Sequence, residues 1–224
     1  DAGPGGRRGA LCDVGSGTGD FIAFAGEQGW AACGLEPSRL ACDRAQSLGL
    51  AVENHTLESF MEAHPERVGQ FDAVTMLYVL EHVPDPAQVV QQCRRLLKPG
   101  SGLLTVVVPN DFNAFQTAAV ASLGVRRWWI AVPDHVNYFD FPSLSRLLEG
   151  CGFTVVDRTA AFPMELFLLM GENYIDQPAL GPACHARRVQ FERSIPVELR
   201  RSLYRRFAEL GLGRNCQVVA SAAP

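Results

Sequence analysis

Short apolar runs along the chain alternate with stretches whose apolar residues recur at helical spacing. Because strands that alternate with helices form right-handed crossovers, this pattern predicts a doubly wound α/β fold with a mostly parallel sheet. The apolar runs predict seven strands, at residues 10–14, 31–35, 50–53, 71–77, 102–108, 153–157 and 216–220.

Helix signals stand between several of these runs. Asp85 can cap a helix whose first position is Pro86, and Pro99-Gly100 ends it. Ser38 is a second candidate N-cap. The remaining helices are predicted at residues 19–28, 38–48 and 143–149.

Two stretches break the alternation of strands and helices. Residues 110–140 and 162–213 each separate two strands by more than an ordinary connection. Long insertions at one end of a sheet are candidate lids or walls of a substrate site. We therefore predict a linker at residues 1–9 and a single domain at residues 10–224, with the two insertions forming a substrate lid or wall.

The composition narrows the class of protein. The chain has 224 residues, 47% of them apolar, which suits one globular domain. Its net charge of −4 argues against a general polyanion binder, and its apolar runs are too short to span a bilayer. Seven scattered cysteines without a C-x-x-C pair favour reduced thiols in the cytoplasm. Since the first methionine is Met61, we expect an upstream segment.

A glycine-rich turn joins the first strand to the first helix. It reads Asp13-Val14-Gly15-Ser16-Gly17-Thr18-Gly19. Glycines let a ligand approach main-chain N–H groups, and the helix N-terminus favours negative charge, so a phosphate or a carboxylate can bind there. Asp20 stands where the dinucleotide fingerprint has a glycine. The added carboxylate of Asp13 would repel pyrophosphate but suits a ligand with an ammonium group.

A second acidic residue, Glu36, ends the second strand. A carboxylate at that position can accept hydrogen bonds from both hydroxyls of a ribose. The glycine-rich turn and this acid together predict an adenosine-containing ligand.

A succession of motifs in this order resembles the class I S-adenosylmethionine-dependent methyltransferases, notably the ubiquinone-biosynthesis O-methyltransferases. The resemblance implies a Rossmann-like sheet of seven strands with the last one antiparallel, and S-adenosyl-L-methionine as cofactor. The motifs are Asp13-x-Gly15-x-Gly17-x-Gly19, Glu36, Phe71-Asp72-Ala73-Val74, Leu80-Glu81-His82-Val83-Pro84 and Lys98-Pro99-Gly100.

The same resemblance implies roles for individual residues. The turn would line the methionine part of the cofactor, Glu36 the ribose, and Leu57 with Glu58 the adenine. Leu77 and Tyr78 would face the transferred methyl group. Leu57-Glu58 departs from the Asp-Ala pattern that is commoner in the family. The predicted cofactor-binding residues are Asp13, Gly15, Ser16, Gly17, Thr18, Gly19, Glu36, Pro37, Leu57, Glu58, Leu77 and Tyr78.

Two histidines are candidate catalytic bases, because histidine titrates near neutral pH. His82 follows the fourth strand, at the edge where ligands bind, and His135 lies in the first insertion. Each has a structural alternative, as a residue that packs or hydrogen-bonds a loop. His55, His64 and His185 have no candidate partners and are expected alone at the surface, and no metal site is predicted.

The second insertion contains an arginine cluster that predicts an amphipathic helix with a solvated basic face. Its functional alternative is a site for an anionic substrate, such as a nucleotide-linked sugar. The cluster consists of Arg187, Arg188, Arg193, Arg200, Arg201, Arg205 and Arg206.

The function that best fits these features is methyl transfer from S-adenosylmethionine to a small molecule, to a hydroxyl group in particular. An RNA methyltransferase is the second hypothesis, favoured by the arginines and opposed by the net acidity. An inactive S-adenosylmethionine-binding module is the third. A nicotinamide oxidoreductase is disfavoured by Asp20 and by the lack of a hydride-transfer constellation.

Overall fold

Seven strands form one sheet in the computed structural model, which describes residues 8–222. Their order in the sheet is third, second, first, fourth, fifth, seventh, sixth. The strands are β1 (Gly9–Val14), β2 (Trp30–Leu35), β3 (Val52–Glu53), β4 (Ala73–Leu77), β5 (Leu103–Pro109), β6 (Phe153–Ala160) and β7 (Asn215–Ala222).

The sheet is parallel except at β7, which runs antiparallel to its neighbours β5 and β6. The predicted doubly wound fold with an antiparallel last strand is therefore confirmed.

Nine α-helices connect the strands within the described residues. Ser38 accepts a hydrogen bond from the Ala41 N–H and Asp85 from the Gln88 N–H, so both predicted caps are confirmed. The helices are α1 (Asp20–Glu27), α2 (Arg39–Ser47), α3 (Leu57–Ala63), α4 (Pro86–Leu96), α5 (Ala114–Leu123), α6 (Phe141–Gly150), α7 (Glu165–Leu169), α8 (Gly181–Ser194) and α9 (Val197–Glu209).

Helices cover both faces of the sheet, as the apolar strands require. Leu11 of β1 packs with Ile22 of α1 and Cys42 of α2 on one face. Alternate side chains of the same strand, such as Cys12, join the other core, to which α3, α4 and α6 contribute. Within residues 8–222, no helix is long and apolar enough to cross a membrane.

Several predicted boundaries differ from the structure. Gly9 already belongs to β1, which shortens the predicted linker, and residues 1–7 lie outside the described residues. β6 continues to Ala160 because β7 pairs with it along that length. The arginine cluster spans two helices rather than one, since the chain is extended at Ile195 and Pro196 between α8 and α9.

The sheet order also determines where a ligand site forms. The chain leaves β1 toward β2 on one side, whereas β4 lies on the other side of β1. In open α/β sheets, such a reversal leaves a crevice at the carboxyl ends of the strands. The glycine-rich turn, Glu36 and Tyr78 all follow strands at that edge.

Candidate functional site

The glycine-rich turn adopts a conformation that requires its glycines. Gly15, Gly17 and Gly19 have φ angles of +73°, +54° and +84°, in the left-handed region that other residues rarely adopt. A Cβ atom on Gly15 would also lie 2.6 Å from Val79 Cγ2. The Gly15 and Ser16 N–H groups donate to the Leu35 carbonyl at 2.8 and 3.1 Å, so the turn is held against the end of β2.

Glu36 is locked between two main-chain donors. Its Oε2 accepts a hydrogen bond from the Gly17 N–H at 2.8 Å, and its Oε1 accepts one from the Ser38 N–H at 2.7 Å. The side chain is 8% exposed. Because each carboxylate oxygen has a second lone pair, Glu36 can still accept hydrogen bonds from a ligand.

Asp13 lies below the turn with 2% exposure. Its Oδ1 accepts a hydrogen bond of 2.5 Å from the Thr75 hydroxyl. Burial raises the pKa of Asp13 to about 6, against the smaller lowering by Thr75. A cation placed beside this carboxylate would favour its charged form.

A cavity of about 310 Å³, which we call the loop cavity, opens beside the turn. Its lining is mostly apolar, with a few polar groups that can orient a ligand. The structure places four of the predicted cofactor-binding residues in it, Gly15, Pro37, Leu57 and Glu58.

A second cavity of about 430 Å³, the insertion cavity, lies between the two insertions and the ends of β4 and β5. Tyr78 lines it with a φ angle of +60°, and the Tyr78 hydroxyl accepts a hydrogen bond from Asn215 Nδ2 at 2.8 Å. Leu77 lines neither cavity. The lining residues are Tyr78, Pro109, Gln116, Trp128, Trp129, Met164, Glu165, Tyr174, Gly181, His185 and Arg214.

Both charge signs occur in the insertion cavity. Glu165 is 3% exposed, burial raises its pKa, and its Oε2 has no hydrogen-bond partner. Arg214 is exposed and forms no ion pair within the part of the chain that the structure describes. A third cavity, of about 450 Å³, lies between β6, α6 and α9, and none of its lining residues belongs to the turn.

Two buried acids, Glu81 and Asp111, form a cluster with His82 and His135. Glu81 and Asp111 are 1% and 2% exposed, and both oxygens of Asp111 lack a partner. Burial, with the nearby charge of Glu81, raises the pKa of Asp111 to about 7, although the Phe139 backbone contact lowers it. Burial also raises the pKa of Glu81.

The two candidate bases meet in this cluster. The rings of His82 and His135 lie 4.9 Å apart, edge to face. His82 Nδ1 is 2.8 Å from the Asp134 carbonyl oxygen, so this nitrogen carries the proton. Burial, followed by His82, lowers the pKa of His135, whose Nδ1 is buried without a partner. Neither histidine lines the loop cavity or the insertion cavity.

Two groups of side chains that could hold a metal ion have no motif in the sequence. The ligand atoms of Glu81, His82 and His135 lie within 4.8 Å of one another. Because His135 is 53 residues from His82, the spacing of these residues along the chain did not indicate that they lie together. That the protein has no metal site remains a prediction.

The three histidines expected alone at the surface are not isolated. The expectation was wrong for His55 and His64, whose rings contact each other and which group with Glu53. His185 is exposed, but it lines the insertion cavity.

Comparison with known proteins gives consistent matches. Residues 2–158 match a family model described as a methyltransferase domain. The chain is 33% identical over 159 residues to a ubiquinone biosynthesis O-methyltransferase of Xanthomonas axonopodis, covering 69% of this chain and 65% of that protein. It is 35% identical to the Pectobacterium carotovorum protein of the same name, over 50% of this chain and 48% of that one.

Solved structures share the fold. A SAM-dependent methyltransferase from Archaeoglobus fulgidus has a TM-score of 0.62 at 17% identity, covering 97% of this chain and 86% of that one. A Mesorhizobium loti S-adenosylmethionine-dependent methyltransferase has a TM-score of 0.57 at 18% identity, covering 96% and 91%. The chain spans between about half and two thirds of the length of the curated relatives named above.

We expect Asp111→Asn to stabilise the protein at high pH. The pKa of Asp111 in the folded protein is about 7, well above its usual 3.8. The protonated carboxyl therefore contributes fully to the unfolding free energy below about pH 4, and this contribution is lost as the pH rises through 7. Asparagine cannot ionise, and the variant should gain about 2 kcal/mol in unfolding free energy at pH 8, much less at pH 4. Urea unfolding at both pH values measures this.

The exposed Asp43→Asn on α2 serves as the control for this measurement and should leave the pH dependence unchanged. An Asp111→Asn variant that lost stability at pH 8 would contradict the buried, high-pKa state of this carboxyl.

Proposed function

Because the chain belongs to the methyltransferase domain family, we propose that it transfers a methyl group from S-adenosyl-L-methionine to a hydroxyl group of a small molecule. S-adenosyl-L-methionine is the cofactor that this membership implies. The observation that carries the proposal is the Glu36 carboxylate, which the Gly17 and Ser38 N–H groups hold between Leu35 and Pro37, two residues that line the loop cavity.

The residues around the loop cavity suit this cofactor. Ser16 Oγ is buried without a partner and lies against Gly34. A Cβ on Gly15 would fill the space against Val79, so the glycine leaves room for a ligand. Glu36 would accept the ribose hydroxyls, and Asp13 would face the ammonium group. The turn itself, from Gly15 through Ser16, Gly17 and Thr18 to Gly19, would surround the methionine part. Pro37, Leu57 and Glu58 would bound the adenine.

The chain's own work is to orient the acceptor, exclude water and accept a proton. The bound cofactor supplies an electrophilic methyl group on a sulfonium. The insertion cavity would hold the acceptor, since Tyr78 at the end of β4 lines it, and Leu77 with Tyr78 would face the methyl group. Holding the reacting atoms about 3–3.5 Å apart supplies much of the rate, and enclosure by both insertions removes water.

His135 is the proposed proton acceptor. Burial and the neighbouring His82 lower its pKa, so the ring is neutral and able to take a proton at pH 7. His82, with its proton directed to the Asp134 carbonyl, would keep the second ring in place.

The acceptor is proposed to be a small hydroxylated molecule with an anionic group. Two of the curated relatives are named for O-methylation in ubiquinone biosynthesis. Arg214 supplies a guanidinium to the insertion cavity, where it lies near enough to Glu165 to lower the pKa of that carboxyl but forms no ion pair in the described residues. The arginine cluster gives only weak support to RNA binding, because acidic side chains already pair with four of its seven arginines. These pairs are Arg187 with Glu172, Arg188 with Glu192, Arg205 with Asp157 and Arg206 with Glu209.

Glu36→Gln should weaken S-adenosylmethionine binding by at least about 10-fold. The amide has one acceptor oxygen and no charge, so at least one charge-assisted hydrogen bond, of about 1.5–3 kcal/mol, is lost. Isothermal titration calorimetry measures the affinity. Glu53→Gln removes the carboxylate at the end of the next strand, which pairs with His64 and not with the glycine-rich turn, and this variant should bind normally. Equal affinities for Glu36→Gln and the unmodified protein would refute the ribose assignment.

His135→Ala should slow methyl transfer by about 100-fold while calorimetry shows an unchanged S-adenosylmethionine affinity, because only the proton acceptor is removed. Release of S-adenosylhomocysteine under saturating acceptor measures kcat. His64→Ala removes a histidine that pairs with Glu53 and Glu66 instead of with His82, and it should retain the rate. An unchanged kcat in His135→Ala would leave this histidine only a structural role.

Arg214→Met should erase a preference for anionic acceptors. Between a hydroxybenzoate and its methyl ester, we expect the unmodified protein to favour the acid by at least about 10-fold in kcat/KM, since the guanidinium can pair with the carboxylate. Arg201→Met, on the exposed side of α9, is the matched control. Faster methylation of the ester by the unmodified protein would exclude the anionic acceptor while leaving methyl transfer intact.

A further inference from the structure

Two cysteines face each other across the strands that form the loop cavity. Cys12 of β1 and Cys33 of β2 are register partners in parallel strands, and their side chains join the same core. Neighbouring strands lie about 4.7–4.9 Å apart, inside the range of about 4.4–6.8 Å that Cα atoms joined by a disulfide span. Each thiol also shifts the pKa of the other.

The surroundings of Cys33 favour its thiolate. Arg67 Nη2 lies 3.6 Å from Cys33 Sγ, and the guanidinium is held over the rings of Phe60 and Phe71, at 5.7 and 5.0 Å from their centres. The hydrogen bond from Cys12 is the main cause that lowers the pKa of Cys33, Arg67 adds to it, and burial with Glu53 opposes.

Cys12 differs from its neighbour in access. It is fully buried, whereas Cys33 is half-buried and reachable from solvent. The pKa of Cys12 is raised, first by its hydrogen bond to Cys33 and then by burial. Burial also raises the pKa of Cys42, Cys93, Cys151 and Cys216, so these thiols are poor nucleophiles.

We propose that Cys33 and Cys12 form a peroxide-oxidisable pair, in which hydrogen peroxide attacks at Cys33 and a disulfide to Cys12 results. The Cys33 sulfur bonds to one peroxide oxygen, the O–O bond breaks, and hydroxide leaves and takes a proton to become water. The Cys12 sulfur then bonds to Cys33, the S–O bond breaks, and the hydroxyl leaves with the Cys12 proton as a second water. Two thiols are oxidised by two electrons, and one peroxide is reduced.

The proposed disulfide would lie close in sequence to two of the predicted cofactor-binding acids. Cys12 directly precedes Asp13, and Cys33 lies three residues before Glu36. The bond would therefore join β1 and β2 close to Asp13 and Glu36. This proposal does not depend on the proposed methyl transfer, because it concerns only the thiols of the folded chain.

Peptide mapping tests the proposal on the intact chain. The folded protein is treated with one equivalent of hydrogen peroxide, blocked with N-ethylmaleimide and digested with trypsin. Trypsin should release residues 9–39 as one peptide, which contains only these two cysteines. We expect this peptide to lose two hydrogen masses and to carry no maleimide, before any other cysteine is consumed. Cys33→Ser should abolish the change and leave Cys12 reduced.

The rate tests the role of Arg67. Arg67→Met should slow formation of the disulfide at least about 5-fold at pH 7, and Arg67→Lys should restore part of the rate. Arg95→Met, an exposed arginine on α4, should have no effect. A peptide that stays a dithiol while other cysteines oxidise, a Cys33 sulfinic acid with Cys12 still reduced, or an unchanged rate in Arg67→Met would each overturn the proposal.

Discussion

The hydrogen bond from the Gly17 N–H to the Glu36 carboxylate links the two strand ends on which the candidate site depends. It requires β1 and β2 to be parallel and in register, so that the turn after one strand meets the acid after the other. It also requires glycines in the turn, because Gly15, Gly17 and Gly19 have positive φ angles and a Cβ at Gly15 would collide with Val79. The N–H groups of Gly15 and Ser16, bonded to the Leu35 carbonyl, make the same connection through the main chain. A preorganised carboxylate of this kind binds hydroxyl groups with little further ordering of the protein.

The structure also buries four acidic side chains. Asp13, Glu81, Asp111 and Glu165 are each at most 3% exposed, and burial raises the pKa of all four. Unpaired buried carboxyls cost stability, so a fold that needed them only for packing would do better with apolar residues. These acids lie near the carboxyl ends of β1, β4 and β5 and beside the insertions. Such a position is expected for ligand-binding residues that lower the stability of the fold.

The sequence predicted best what local signals determine. Alternating apolar runs gave the strands, Ser38 and Asp85 gave helix starts, and the glycine-rich turn with Glu36 gave one half of the candidate site. Contacts between distant residues could not be predicted from spacing. His82 and His135 meet because the first insertion returns over the end of β4, where the Val136 and Asn137 N–H groups both donate to the Glu81 carbonyl. The insertion cavity depends on how α5, α7 and α8 pack, which the sequence pattern does not indicate. The spacing of the arginines likewise did not identify the acidic residues with which they pair, such as Glu172 with Arg187.

A crystal structure with S-adenosylhomocysteine would show whether Glu36 binds the ribose, because it locates the ligand without requiring a known acceptor. We expect the adenine in the loop cavity, both ribose hydroxyls within about 3.2 Å of the Glu36 carboxylate, and the amino group next to Asp13. Density for the ligand in another cavity, or a ribose that leaves Glu36 bonded only to Gly17 and Ser38, would contradict it.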